Sequence, residues 1–140
     1  MPRDGIFVAI DKEDMKSHIL LVDQDQTNLD SLKRRLCCKG RAVFTTTSAK
    51  AALNIAKKTN IHLAVIDMEL FDTPGIELIS ILKGLHPDIR VIFTTSDHSI
   101  EIESKVRKMG IVLYMPKPLD LELMKEAVAK GLKDARRESR

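Results

Sequence analysis

Five short apolar runs alternating with five amphipathic segments predict an α/β fold, a doubly wound five-stranded parallel sheet with helices on both faces. Three observations carry this. The strand candidates are continuously apolar, as a parallel sheet covered on both faces requires, rather than alternating like a half-exposed sheet. The segments between them repeat apolar residues at the spacing of one helix face. Capping residues and breakers punctuate the junctions. At 140 residues the chain suits one domain that buries a core without disulfides.

In order, the first strand is "ILLV" (19–22), followed by a helix over 27–38 with Leu29, Leu32, Leu36 and Cys37 on one face. Thr27 or Asn28 is its expected cap, and Gly40 its stop. The second unit pairs "AVFT" (42–45) with a helix over 48–58, where Ser48 caps and Ala51, Ala52 and Ile55 share a face. The third pairs "LAVI" (63–66) with 75–85, whose Ile76, Leu78, Ile79 and Leu82 precede the breaker "HPD". The fourth pairs "VIFT" (91–94) with 98–109, carrying Ile100, Ile102, Val106 and Met109 before Gly110. The fifth pairs "IVLYM" (111–115) with 120–134, striped by Leu121, Met124, Val128 and Leu132.

Composition excludes several classes. An apolar fraction of 44% with 31% charged residues is that of a globular chain. The net charge of +3 is small and partly confined to the tail "KDARRESR", so direct nucleic-acid binding is not expected. One Tyr, four Phe and no Trp leave little surface for stacking bases. No apolar run approaches the ~20 residues that cross a bilayer, so no membrane role is expected. Residues 1–17 hold an apolar stretch, Ile6 to Ile10, too short and too soon acidic for a signal peptide. The adjacent Cys37 and Cys38 suit reduced thiols in a cytoplasmic protein. Neither His18, His62, His86 nor His98 belongs to a zinc motif, and no Gly-rich phosphate loop is present.

Function in such sheets sits at the carboxyl ends of the strands, near the topological switch point. The first strand ends in Asp23-Gln24-Asp25, the third in Asp67, the fourth in Thr95-Ser96 and the fifth in Lys117-Pro118. Carboxylates, a hydroxyl and an ammonium thus converge on one edge. Close carboxylates repel unless a cation separates them, and hard oxygens favour partly hydrated Mg²⁺. Metal, ammonium and hydroxyl would each take one phosphoryl oxygen while a carboxylate attacks phosphorus.

With these residues in place the chain resembles the receiver domains of two-component response regulators, the CheY-like family. The resemblance runs through "ILLVDQD", "LAVIDMELFDTPGIELI", "RVIFTTSDHSIE" and "YMPKPLD" and covers about residues 18–133. It implies a flavodoxin-like sheet of order 2-1-3-4-5 and a signalling switch in a phosphorelay rather than a turnover enzyme. Asp67 would be the phosphoacceptor, served by a histidine kinase or a histidine phosphotransfer protein. Asp23, Asp67 and the backbone carbonyl of Glu69 would hold Mg²⁺, with Gln24 or Asp25 completing the set. Thr95 and Lys117 would bind the phosphoryl group, and Tyr114 would rotate inward in the active state. The output would be a downstream protein or effector domain, and pairing of two copies through the fourth and fifth helices is a family habit. The expected organisation is a leader (1–17), a receiver domain (18–134) and a basic tail (135–140), either stand-alone or cut from a longer regulator.

The chain departs from the family in three places. Gln24 stands where the second acid of the metal pair is usual, one negative charge poorer. Phe71 stands where Pro is common, although Gly75 keeps the turn. Glu69 and Asp97 are acidic at the two flanking positions that tune dephosphorylation. Two further readings compete. One is a degenerate receiver that binds partners without phosphorylation. The other is a phosphohydrolase of the DxDx[TV] type, for which Asp23, Asp25 and Thr27 would supply the motif.

Overall fold

The computed structural model describes residues 16–138, so the expected leader lies almost wholly outside the described residues. Strands β1 (Ser17–Val22), β2 (Arg41–Thr46), β3 (Leu63–Asp67), β4 (Arg90–Thr95) and β5 (Leu113–Pro116) alternate with helices. The helices are α1 (Gln26–Leu36), α2 (Ala49–Lys58), α3 (Gly75–Leu85), α4 (Ile100–Arg107) and α5 (Leu121–Glu138). All strand pairs are parallel, in the order β2-β1-β3-β4-β5.

The period-2 alternation of strand side chains divides the core into two layers. Leu20, Val22, Ala64, Ile66, Val91 and Phe93 pack beneath α2, α3 and α4. Ile19, Leu21, Leu63, Val65 and Ile92 point the other way, onto α1 and α5 through Leu29, Leu32, Leu36, Met124, Val128 and Leu132. Because both faces of the central strands are covered, β1, β3 and β4 carry unbroken apolar runs, whereas the edge strand β2 is half-buried along its length. The chain reverses its winding between β1 and β3, and that junction is the crevice that positions the site.

Several local expectations need correction. The cap of α1 is Asp25, whose carboxylate accepts from the Thr27 N–H, and neither Thr27 nor Asn28 fills that role. The helix stops at Leu36, so Cys37 is its exposed C-cap and Cys38 lies beyond it. At α4 the cap is Ser99, and Ile100, expected on the buried face, is 79% exposed on the first turn. β5 begins two positions late because Ile111 and Val112 are still entering the sheet, the Val112 N–H reaching the Val91 carbonyl at 2.7 Å. Helix α5 runs on to Glu138, past its expected end. Ser48 caps α2 as expected.

Candidate functional site

Strand register assembles the site before any side chain is considered. Val22 lies beside Ile66, so Asp23 and Asp67 leave the sheet as neighbours. Asp67 pairs with Thr94, placing Thr95 one step further along β4. Thr95 pairs with Pro116, which delivers Lys117 to the same edge. The Lys117–Pro118 peptide is cis.

Asp23 and Asp67 are buried, and two buried carboxylates need a compensating charge. Lys117 supplies it: Nζ lies 3.0 Å from Asp67 Oδ2 and 3.3 Å from Asp23 Oδ2. Asp23 also accepts the Asp25 N–H at 2.8 Å on Oδ1 and the Asn28 amide at 3.4 Å on Oδ2. Asp67 Oδ1 accepts the Glu69 N–H at 3.2 Å. Asp67 Oδ2 is buried and has the Lys117 ion pair but no well-aligned hydrogen-bond donor. Burial first, and repulsion from Asp23 second, push the Asp67 carboxyl up to about 7; Lys117 and the Glu69 N–H only partly oppose them. Burial pulls the Lys117 ammonium down, but Asp67 and Asp23 outweigh it and leave it above its ordinary value.

The structure therefore brings Asp23, Asp67, Glu69, Thr95 and Lys117 together. Gln24 and Asp25 follow Asp23 on the loop between β1 and α1. Both are exposed, and one oxygen of Asp25 caps α1. Among the described residues no three His, Cys, Asp or Glu side chains form a metal cluster. Two carboxylates, the Glu69 carbonyl and water nevertheless match the donor set that Mg²⁺ takes, since it keeps several waters and needs only one or two carboxylates. The Asp67 Oδ2 oxygen, short of donors, fits the same role.

Two features escaped the sequence. The Glu69 carboxylate crosses to β4, accepting the Thr95 hydroxyl at 2.8 Å and the Ser96 N–H at 2.9 Å. Asp72 caps α2 from a distance, its oxygens accepting the Ala49 and Lys50 N–H groups at 3.0 Å each. Two acidic residues in the β3–α3 loop were the only signal, and they do not name their partners. Tyr114, expected to move inward on activation, is already 7% exposed, with its hydroxyl donating to the Asp97 carbonyl at 3.1 Å. Gly75 has a tighter reason than its turn: a Cβ there would lie 2.3 Å from the Asp67 carbonyl oxygen.

A response regulator receiver domain profile matches residues 19–129. The chain belongs to that family, the receivers of two-component systems. It is 28% identical over 119 residues to the transcriptional regulatory protein GlrR of Escherichia coli (strain K12), covering 85% of this chain and 27% of that protein. The chain thus spans about a quarter of that relative's length. A receiver domain protein (CheY-like) from Methanospirillum hungatei JF-1 superposes with a TM-score of 0.82 at 28% identity, over 88% of this chain and 98% of that one. A response regulator from Burkholderia pseudomallei, solved with a phosphorylated aspartic acid, calcium ion and citrate, gives 0.74 at 26% identity, over 89% and 73%. No helix among the described residues is long and apolar enough to cross a membrane.

Proposed function

We propose that Asp67 is the phosphoacceptor of a cytoplasmic phosphorelay switch, charged by a histidine kinase or a histidine phosphotransfer protein. The observation that carries this reading is the buried Asp67 carboxylate at the switch point, paired with Lys117 and short of hydrogen-bond donors at Oδ2. In the transfer a carboxylate oxygen of Asp67 forms the new P–O bond. The P–N bond to the donor imidazole breaks, and the imidazole keeps the electron pair. Lys117 neutralises charge on the phosphoryl oxygens, and Thr95 donates to one of them. Asp23, Asp67 and the Glu69 carbonyl would hold Mg²⁺, which when bound offsets the charge gathered on carboxylates and phosphate. The phosphorylated site would then bias the surface of α4 and β5 that meets a downstream protein or effector domain.

This is a signalling reaction on the chain itself rather than turnover of a small molecule. The DxDx[TV] hydrolase reading loses support because Asp25 caps a helix and Asp67 would have no role. A phosphorylation-independent binding module draws support from the exposed Gln24. Incubation with a small phosphodonor and Mg²⁺, read by intact mass, separates the readings. A single lasting phosphate, absent in Asp67→Asn, is expected. Equal adducts on both proteins would refute Asp67 as acceptor. An absent adduct favours the binding module, and catalytic phosphate release favours the hydrolase.

A further inference from the structure

Glu69 faces two parts of the site at once. Its N–H holds Asp67 Oδ1, while its carboxylate spans the Thr95 hydroxyl and the Ser96 N–H at 2.8 and 2.9 Å. Thr95 is fully buried, and its oxygen accepts the Asp97 N–H at 2.9 Å, so the hydroxyl proton is left to donate. Its only other acceptor among the described residues is the Met68 sulfur at 3.4 Å, a far weaker partner than a carboxylate. A hydroxyl and a main-chain N–H on consecutive residues form a two-donor clamp for two oxygens of one anion. A carboxylate supplies two such oxygens and a phosphoryl group three.

We propose that the Glu69 carboxylate is a built-in occupant of the phosphoryl subsite, holding Thr95 and Ser96 until a phosphoryl group on Asp67 displaces it. The proposal rests on the reading of Asp67 as acceptor. Its consequence reaches Tyr114. The clamp fixes the start of the β4–α4 loop, where the Asp97 carbonyl takes the Tyr114 hydroxyl at 3.1 Å. Tyr114 stacks on Phe93 with ring centroids 6.1 Å apart, and the Arg107 guanidinium covers it at 5.5 Å. Glu69 thus keeps the α4–β5 face in its drawn-in arrangement without phosphate, and it competes with the phosphoryl group for entry.

Tyr114 is the one tyrosine and the chain has no Trp, so its fluorescence is a clean reporter. Wild type, Glu69→Gln and Glu69→Ala are titrated with beryllofluoride, a phosphoryl analogue, at saturating Mg²⁺. Ser96 amide exchange and acrylamide quenching of Tyr114 are followed alongside. Glu69→Ala is expected to bind beryllofluoride about tenfold more tightly, since two charge-assisted hydrogen bonds no longer compete. Before the analogue is added, its Ser96 amide exchanges faster and Tyr114 is quenched more than in wild type; beryllofluoride reverses both. Glu69→Gln keeps one acceptor oxygen but turns an NH₂ toward the other donor, so its gain is about threefold, between the two. Relief of charge repulsion alone would make Gln and Ala equal, and that result overturns the proposal. So does a Glu69→Ala that gains no affinity or leaves Ser96 and Tyr114 unchanged, while wild-type binding keeps the acceptor reading intact. If none of the three binds the analogue and none takes phosphate, the acceptor reading falls and the proposal with it.

Discussion

Asp67→Asn is expected to change how stability depends on pH, in a direction set by the burial of Asp67 beside Asp23. The Asp67 carboxyl is fully buried and is raised from 3.8 to about 7, by burial first and by Asp23 second. Between those two values the folded state binds more protons than the unfolded chain, so stability falls as pH rises through the window. The contribution is complete below the unfolded value and gone above the folded one. A rise from 3.8 to about 7 corresponds to roughly 4 kcal/mol. Water entry and pocket relaxation bring the expected figure to ~2–4 kcal/mol. Asn keeps the shape and cannot titrate, so its stability relative to wild type should improve by that amount between about pH 4 and pH 8. Lys117 loses a partner in the variant, but it stays charged across the range, so that cost is constant and cancels in the comparison. Urea unfolding of both proteins in chelator-treated buffer, at five pH values, measures it. Parallel stability curves would refute the assignment of a buried, proton-retaining acid at the switch point.

Three further outcomes are expected. Gln24→Asp restores an anionic oxygen beside Asp23 and is expected to tighten Mg²⁺ binding about tenfold, roughly 1–2 kcal/mol after screening. Unchanged affinity in a metal titration would mean that water or Asp25 already fills that place. Gly75→Ala forces a Cβ within 2.3 Å of the Asp67 carbonyl oxygen and 2.8 Å of Met68 Cα, both backbone atoms that cannot swing aside. It is expected to cost about 2–4 kcal/mol in urea unfolding and to impair phosphorylation, whereas a cost below ~0.5 kcal/mol would show that the loop yields freely. Asp72→Ala removes the acceptor for the Ala49 and Lys50 N–H groups, which hold the Asp72 carboxyl below its ordinary value. Those two amides should exchange faster in the variant at neutral pH, and in wild type the contribution should vanish only as pH falls below the ordinary carboxylate range; equal exchange in both proteins would remove Asp72 from the cap.

Much of this protein is legible in its residues. Unbroken apolar runs revealed the strands because burial on both faces leaves no room for polar alternation, and helical spacing located all five helices. Asp23, Asp67, Thr95 and Lys117 could be picked out because each ends or follows a strand, and a parallel sheet puts those ends on one edge. Cap positions were less legible: Asp25, Thr27 and Asn28 are all competent, and only the local backbone path chose Asp25. The Glu69 clamp, the Asp72 cap and the inward Tyr114 belong to tertiary structure alone. A pattern of burial is written in neighbouring residues, three or four positions apart in a helix and two in a strand. A long acidic side chain on a loop can reach several donors, and which it meets depends on how closely β3, β4 and α2 approach after the core has packed.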